Sequence, residues 1–205
     1  MPIKNSLQNI YNGFAKSYEQ NRGFFDISEI LDSFYLSLAL EKGELLDLGC
    51  GAGEPVARYF IDRHWIVTGV DFSEQMLELA STYVPEMKTH HADISRVEFD
   101  KHQFNAITAT YSLFHIPAVE HFKLFENIYH WLNKDGKALF TYATEDYTGS
   151  KEFEGYKSFM EQELFYSHKT PEALYQDLEK IGFKIDSTEY KNIGNETFLW
   201  VTLSK

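Results

Sequence analysis

The sequence has one cysteine, few basic residues and no long apolar run. Cys50 is the single cysteine among 205 residues, so no internal disulfide can form and a reducing, cytoplasmic location is expected. Lys and Arg number 19 against 31 Asp and Glu, a formal net charge of −12. This balance argues against nucleic acid or an anionic membrane as a partner, since both require basic patches. The N-terminus lacks an apolar signal-peptide core, and no segment approaches about 18 continuous apolar residues, so no membrane span is expected.

The histidines do not show the spacing of metal ligands. Eight are present, but no HExxH or comparable pattern occurs. His90 and His91 fall on a short predicted strand and point to opposite faces, which argues against joint coordination. We therefore expect no metal site.

The most informative stretch is a glycine turn, LLDLGCGAG over residues 45–53. An apolar segment of strand character leads into three glycines that alternate with small residues, and a helix-like segment follows over residues 54–63. Alternating glycines at a strand-to-helix turn let the bare backbone approach a bound molecule, because no Cβ stands in the way. The turn predicts a nucleotide-like ligand without specifying a reaction.

Acidic residues follow the next two predicted strands. The strand over residues 65–70 ends in Asp71, and Phe72 and Ser73 then open a helix. An acid at this position is placed to hold ribose hydroxyls, while the alternative role is a helix N-cap. A third short strand over residues 87–91 is followed by Asp93.

Strand and helix patterns alternate through the middle of the chain, which predicts parallel strands with right-handed crossovers. A helix beginning at Thr170 and Pro171 follows, and then two strands over 183–190 and 197–204, joined by a turn containing Asn192 and Gly194-Asn195. We expect one domain with four parts: an N-terminal helical cap over 1–43 in two pieces divided near Gly23, a core over 44–146, a lid insertion over 147–169, and a C-terminal helix and hairpin over 170–205.

The glycine turn, Asp71, Asp93 and an Asp135-Gly136 turn resemble, in order and spacing, the class I S-adenosylmethionine-dependent methyltransferases. The resemblance runs from about Tyr11 to the C-terminus, and LDLGCGAG is a highly specific form of the family's first motif. It implies a Rossmann-like, doubly wound α/β fold: a mainly parallel seven-stranded sheet with a C-terminal antiparallel hairpin. It also implies S-adenosyl-L-methionine as the cofactor.

The resemblance assigns ten residues to the cofactor. Gly49 and Gly51 pass close to the methionyl portion, with Asp47 near its ammonium group, and Asp71 takes both ribose hydroxyls. The remaining assignments are Asp93 at the adenine amino group, Phe72 and Ile94 against the adenine faces, Met76 beside the ring, the backbone near Tyr111 at the methionyl end, and Cys50 as a small packed residue of the turn.

A nicotinamide dinucleotide is the alternative ligand for the turn. Glu54 and Pro55 follow the glycines where a phosphate-binding loop would supply Lys and Ser or Thr. A negative residue there would repel a pyrophosphate from the helix N-terminus that should attract it, which favours the sulfonium cofactor. A non-catalytic module that binds the same cofactor shares these landmarks and stays an open alternative.

The methyl acceptor is predicted to be a small molecule. The segment after the fourth strand, TYSLFH over 110–115, lacks the Asn or Asp followed by Pro-Pro and an aromatic that marks amino-nitrogen methyltransferases. A cytosine-carbon methyltransferase needs a catalytic cysteine, and Cys50 lies in the glycine turn. Methylation at O, N, S or carbon stays open, with protein acceptors less favoured.

Candidate acceptor contacts come from three segments. His115 follows the fourth strand and is the candidate base if the acceptor must lose a proton, the alternative being a structural histidine. Tyr11 and Tyr18 belong to an aromatic group in the N-terminal helix. Tyr166 and His168 belong to the lid insertion, whose length is typical of a lid over a ligand.

Overall fold

Among the residues that the structure describes, two helices precede the sheet, α1 (Pro2–Ala15) and α2 (Ser28–Leu38). The computed structural model describes residues 2–15, 26–159 and 162–205. The two helices confirm the helical prediction for this part of the chain, whereas Gly23 lies outside the described residues. No helix within the described ranges is long and apolar enough to cross a membrane.

Seven strands form one sheet and two form a separate hairpin. The strands are β1 (Glu44–Leu48), β2 (Ile66–Asp71), β3 (Lys88–His91), β4 (Phe104–Ala109), β5 (Leu132–Tyr142), β6 (Phe153–Phe159), β7 (Gln162–His168), β8 (Lys184–Ile193) and β9 (Glu196–Ser204). The sheet order is β3-β2-β1-β4-β5-β9-β8, and β6 pairs with β7. In the large sheet β9 is antiparallel to both of its neighbours, β5 and β8, and the other six strands share one direction. The predicted fold is confirmed.

Helices cover both faces of this sheet because its central strands are apolar on both sides. The remaining helices are α3 (Val56–Ile61), α4 (Glu74–Tyr83), α5 (Ala118–Trp131), α6 (Glu145–Thr148) and α7 (Pro171–Ile181). In β1, Leu45, Leu46 and Leu48 are fully buried. Leu46 joins the core that contains Phe125 of α5, and Leu45 joins the core that contains Phe60 of α3 on the opposite face.

Two helices begin where the sequence predicts. The Ser73 hydroxyl caps α4, and the Thr170 hydroxyl caps α7, with Pro171 in its first turn. Gly182 ends α7 in a left-handed conformation (φ 114°). Helix α3 is shorter than the predicted 54–63, because Pro55 occupies its N-cap position and His64 adopts φ 62° just beyond it.

Two predicted turns differ from the structure. Asn192 lies in β8, paired with Thr197 of β9 through a 2.8 Å side-chain hydrogen bond, so the turn is Gly194-Asn195 alone. Both turn residues have positive φ, as a two-residue hairpin turn requires. The Asp135-Gly136 turn is a bulge inside β5, which starts at Leu132, because the pairing with β4 jumps from Leu132 to residue 137.

The insertion after β5 forms α6 and the β6–β7 hairpin, and the sequence does not predict these two strands. The hairpin packs against α1 and against a 3-10 turn, Leu113–His115, that follows β4. A third apolar cluster holds it there, with Leu7 of α1, Phe114 of the turn and Phe165 of β7 as members. The hairpin thus lies over the carboxyl ends of the central strands.

Candidate active site

A cleft of about 320 Å³ opens at the carboxyl edge of β1 to β4, where parallel strands bring their ends together. Its walls come from α1, the glycine turn, the segments after β2 and β3, and the segment after β4. The lining residues are Leu7, Gln8, Tyr11, Gly49, Asp71, Phe72, His91, Ala92, Asp93, Ile94, Arg96, Tyr111, Ser112, His115 and Ile116.

Gly49 and Gly51, the first two glycines of the turn, differ in what a side chain at each position would meet. Gly49 has φ 81°, and a Cβ placed there would lie 2.4 Å from the Ser112 Cβ, so the side chain is excluded by packing. Gly51 has φ 52°, but a Cβ there would have no atom of the described chain within 4 Å. Gly51 therefore presents bare backbone to open space, as a ligand contact requires.

Asp71 is fixed by backbone donors at the end of β2. One carboxylate oxygen accepts a hydrogen bond from the Gly51 N–H at 2.9 Å, and the other accepts from the Ser73 N–H at 2.8 Å. Burial raises the pKa of Asp71, while these backbone hydrogen bonds oppose that rise. Each oxygen has a second lone pair, so the carboxylate can also accept from a pair of hydroxyl groups.

The predicted adenine contacts lie along one wall. Phe72 and Ile94 both line the cleft, as does Asp93. One Asp93 oxygen accepts from the Ser95 N–H and the Ser95 hydroxyl, each at 2.9 Å, which fixes this side chain. Gln8, which the sequence does not single out, also lines the cleft and donates to the Phe72 carbonyl at 2.7 Å. Its position in the amphipathic α1 is the only sequence signal for it.

Three predicted contacts lie behind the lining. Asp47 is 2% exposed and accepts from the Thr108 hydroxyl at 2.8 Å. Burial is the main cause that raises the Asp47 pKa to about 7. Cys50 and Met76 are buried, and burial raises the pKa of the Cys50 thiol well above its usual value, which agrees with a packed residue.

Tyr111 lines the cleft in a left-handed conformation (φ 54°). Its backbone N–H donates to the Thr141 hydroxyl at 2.6 Å, which anchors the segment after β4 to β5. The neighbouring Ser112 donates to the Leu48 carbonyl at 2.7 Å. These two hydrogen bonds fix the wall that faces the glycine turn, and Ser112 is a lining residue that the sequence analysis does not name.

His115 is held at both ring nitrogens. Its Nε2 lies 2.8 Å from the Tyr11 hydroxyl, and its Nδ1 lies 2.7 Å from the Phe165 carbonyl. Burial lowers the His115 pKa to about 4, so the ring is neutral at physiological pH. His115 and Tyr11 both line the cleft. The structure thus joins the segment after β4, α1 and the hairpin in one hydrogen-bonded chain.

Two other predicted acceptor contacts, Tyr166 and His168, are not brought to the cleft. Tyr166 is buried, stacks on Phe114 at 5.3 Å and accepts from the Tyr147 hydroxyl at 3.0 Å. The His168 Nε2 is hydrogen-bonded to the Thr148 hydroxyl at 2.7 Å. Neither is among the lining residues. Tyr18 lies outside the described residues.

Comparisons with known proteins agree with this geometry. A family model described as "Methyltransferase domain" matches residues 24–188. The 27-O-demethylrifamycin SV methyltransferase of Amycolatopsis mediterranei (strain S699) is 28% identical over 138 residues, which cover 57% of this chain and 51% of that enzyme. The trans-aconitate 2-methyltransferase of Enterobacter sp. (strain 638) is 35% identical over 99 residues, which cover 47% of this chain and 37% of that enzyme. The matches therefore span about half, or less, of those two enzymes.

The fold also matches a solved structure over the whole chain. The 1,6-didemethyltoxoflavin-N1-methyltransferase from Burkholderia thailandensis superimposes with a TM-score of 0.65 at 18% identity. The match covers 100% of this chain and 91% of that one, and that structure holds 1,6-didemethyltoxoflavin and S-adenosylhomocysteine. At this identity the likeness shows a shared fold.

Proposed function

The chain belongs to the class I S-adenosylmethionine-dependent methyltransferase family, and we propose that it methylates a small-molecule acceptor with S-adenosyl-L-methionine as cofactor. One observation carries the proposal. The Asp71 carboxylate is held by the Gly51 N–H at the carboxyl edge of the sheet, beside open space at Gly51. A sugar diol and the backbone-contacting part of a ligand can bind side by side there.

The charges of the cleft fit this cofactor, which has no phosphate. Two acidic side chains, Asp71 and Asp93, and one basic side chain, Arg96, are among the lining residues. The Arg96 side chain is 78% exposed and lies 3.9 Å from Asp93, so part of its charge is already paired. A net acidic cleft attracts a cationic ligand and repels a pyrophosphate, so the charges disfavour NAD.

The residues that would hold the cofactor follow from this placement. Asp71 accepts from the ribose hydroxyls, Asp93 from the adenine amino group, and Phe72 and Ile94 cover the adenine faces. At the methionyl end Gly49 and Gly51 give backbone contact, Tyr111 supports the wall, and Asp47 supplies negative charge from behind the turn. Cys50 and Met76 pack behind this surface.

When bound, the cofactor supplies a methyl group on a cationic sulfur that an in-line nucleophile can displace. The chain's contribution is mainly alignment and exclusion of water, and alignment can supply about 7–11 kcal/mol of barrier reduction. His115 is the predicted base, but both of its ring nitrogens are already engaged, so we propose that it acts through Tyr11.

A small acceptor fits the enclosure of the cleft. Leu7 and Tyr11 of α1 and His115 after β4 give the cleft a further wall beside the sheet edge, which makes it a pocket and not a flat surface. The names of the two related enzymes also specify small-molecule acceptors. The lid role of residues 147–169 and a cytoplasmic location, with Cys50 free and buried, are parts of this proposal.

Calorimetric titration of the protein with S-adenosylmethionine, S-adenosylhomocysteine and NAD tests the cofactor. We expect the first two to bind at one site per chain and NAD to show no binding. Tight NAD binding alone would refute the proposal. Formation of S-adenosylhomocysteine with a panel of phenols, alcohols and amines then tests turnover, and methylation of added proteins alone would refute the small-molecule acceptor.

A further inference from the structure

We propose that Gln8 and Asn12 of α1 are positioning residues, which hold Phe72 and Ser73 in place for the adenine end of the cofactor. Docking of α1 and binding of the cofactor then stabilise each other. This inference rests on the proposed function and gives the N-terminal helix a part in cofactor binding.

One face of α1 contacts the segment that directly follows β2. Gln8, Tyr11 and Asn12 are spaced i, i+3 and i+4, so their side chains lie side by side along the helix. Gln8 and Tyr11 contact Phe72, and Asn12 contacts Ser73. The helix is therefore docked on the two residues that extend the end of the strand.

The Phe72 carbonyl is held between α1 and β3. It accepts from the Gln8 Nε2 at 2.7 Å, and the His91 Nε2 lies 3.0 Å from the same oxygen. A carbonyl can only accept and has two lone pairs, so each nitrogen can donate to one of them. The Phe72 ring, which lines the cleft, also meets the Tyr11 ring edge-on at a centroid distance of 5.7 Å. Both the backbone and the ring of Phe72 are thus fixed by α1.

The fully buried Ser73 connects α1 to the ribose end of the cleft. Its hydroxyl donates to the Asn12 Oδ1 at 2.6 Å, and its oxygen accepts from the Met76 N–H at 3.2 Å. Its own backbone N–H donates to the Asp71 carboxylate at 2.8 Å. One residue therefore joins α1, the first turn of α4 and the acid proposed to bind the ribose.

Helix α1 depends on this docking for its own stability. It spans 14 residues, a length at which an isolated helix is marginal in water. A ligand that stacks on Phe72 and binds Asp71 beside Ser73 holds the segment in the conformation on which α1 docks, so it favours the docked helix. By thermodynamic reciprocity, the docked helix raises the affinity for that ligand by the same factor.

Titration of variants with S-adenosylhomocysteine tests the positioning role. Gln8→Ala removes the donor to the Phe72 carbonyl and should weaken binding by about 2- to 12-fold, the range for one neutral hydrogen bond. Asn12→Leu should have an effect of the same size. Asn12→Asp keeps an oxygen for the Ser73 hydroxyl, so it should retain more of the affinity than Asn12→Leu does.

Asn9→Ala is the matched control, because Asn9 is an exposed amide of the same helix. It should leave the affinity unchanged. Wild-type affinity in both Gln8→Ala and Asn12→Leu, or an equal loss in Asn9→Ala, would overturn the inference.

Adenosine, in competition with S-adenosylhomocysteine, locates the effect along the cofactor. It carries only adenine and ribose, so Gln8→Ala and Asn12→Leu should weaken adenosine by the same factor as S-adenosylhomocysteine. Unchanged affinity for adenosine, with a loss for S-adenosylhomocysteine, would place the effect at the methionyl end and overturn the inference.

Hydrogen exchange of backbone amides tests the reciprocal effect on the helix. In the wild type, saturating S-adenosylhomocysteine should slow exchange over residues 8–12 by at least about 2-fold. The double variant Gln8→Ala/Asn12→Leu should lose this slowing, while the amides of β1 and β4 remain protected and report that the sheet is folded. Exchange in α1 that does not respond to the ligand in the wild type would overturn the inference.

The same measurements separate this inference from the proposed function. Failure of the wild-type protein to bind S-adenosylhomocysteine would refute the proposed function and this inference with it. Normal binding by the wild type, with no change of affinity in the variants and no slowing of exchange in α1, would refute this inference alone.

Discussion

The two sides of the cleft are built by different means. On the sheet side, the Gly51 backbone N–H in the turn after β1 donates to the Asp71 carboxylate at the end of the neighbouring parallel strand β2, 20 residues farther along the chain. On the opposite side, Tyr11 and His115 are 104 residues apart, and His115 meets the Phe165 carbonyl 50 residues farther along the chain. The first arrangement follows from strand order, whereas the second depends on how a helix and a hairpin pack.

Burial disfavours the charged form of Asp71 on the sheet side and of His115 on the other side, but the groups that oppose this effect differ. It raises the pKa of Asp71 and lowers the pKa of His115, since both shifts favour the neutral form. Backbone N–H groups of Gly51, Phe72 and Ser73 oppose the shift at Asp71. At His115, the hydrogen bond to the Phe165 carbonyl opposes the downward shift of the pKa. The sheet side is thus suited to bind a polar cofactor, and the opposite side to order a neutral hydrogen-bonded chain.

The largest effect is expected for substitutions of Gly51 and Gly49, which should change cofactor affinity and folding stability differently. Gly51 is not itself a lining residue of the cleft, but its N–H holds the Asp71 carboxylate and a Cβ there would enter open space. If the proposed cofactor fills that space, Gly51→Ala should weaken S-adenosylhomocysteine binding by about 5- to 150-fold, the range for forcing an extra group into a filled site. The free energy of unfolding should fall by only about 1–2 kcal/mol relative to the wild type, because alanine is strained in this left-handed backbone conformation. Calorimetric titration and urea unfolding measure the two quantities.

Gly49→Ala is the matched variant. Its Cβ would lie 2.4 Å from the Ser112 Cβ, so it should lose more folding stability than Gly51→Ala does. Equal loss of stability in both variants, with unchanged affinity in Gly51→Ala, would contradict the division of roles within the turn.

A smaller effect concerns Asp47 and pH. Its pKa is 3.8 before folding and about 7 afterwards, so between these values the folded state holds a proton that the unfolded state has lost. Stability therefore falls as pH rises through this window, by about 2–3 kcal/mol between pH 5 and pH 7. Asp47→Asn keeps an oxygen for Thr108 and should abolish this loss in urea unfolding of the cofactor-free protein. Parallel pH profiles for the two proteins would refute this assignment.

Asp47→Asn should also separate stability from binding. At pH 8 the variant should be more stable than the wild type without cofactor, because it buries no charge. It should nevertheless bind S-adenosylmethionine less tightly, because it has lost the negative charge behind the methionyl end. A variant that gains both stability and affinity would show that Asp47 does not serve the cofactor.

Local sequence predicts the sheet side well because its features are short-range. The apolar run over 45–48, the acid at the end of β2 and the Ser73 cap each depend on a few consecutive residues, and the structure has all three. Gly49, Asp71, Phe72, Asp93, Ile94 and Tyr111 all line the cleft. Asp47 of β1, Cys50 of the glycine turn and Met76 of α4 lie behind it, because their side chains are buried.

The opposite side is less predictable because it depends on distant packing. Residues 164–168 of β7 are buried on both faces, so alternation along the strand does not show which side chains face the cleft. Tyr166 and His168 consequently pack into the protein, while the Phe165 carbonyl reaches His115. The pairing of Tyr11 with His115 leaves no local pattern, since it joins an N-terminal helix to a turn after β4.

Parallel titration of two variants with S-adenosylhomocysteine tests most directly whether the sheet side of the cleft, and not the side with Tyr11 and His115, holds the cofactor. Asp71→Ala removes a charged hydrogen-bond acceptor from the sheet side and should weaken binding by about 1.5–3 kcal/mol, or roughly 10- to 150-fold, in a protein that still folds. Tyr11→Phe removes one hydroxyl from the opposite side and should leave the affinity within about threefold of the wild type. Unchanged affinity in a folded Asp71→Ala protein, with a large loss in Tyr11→Phe, would contradict the account.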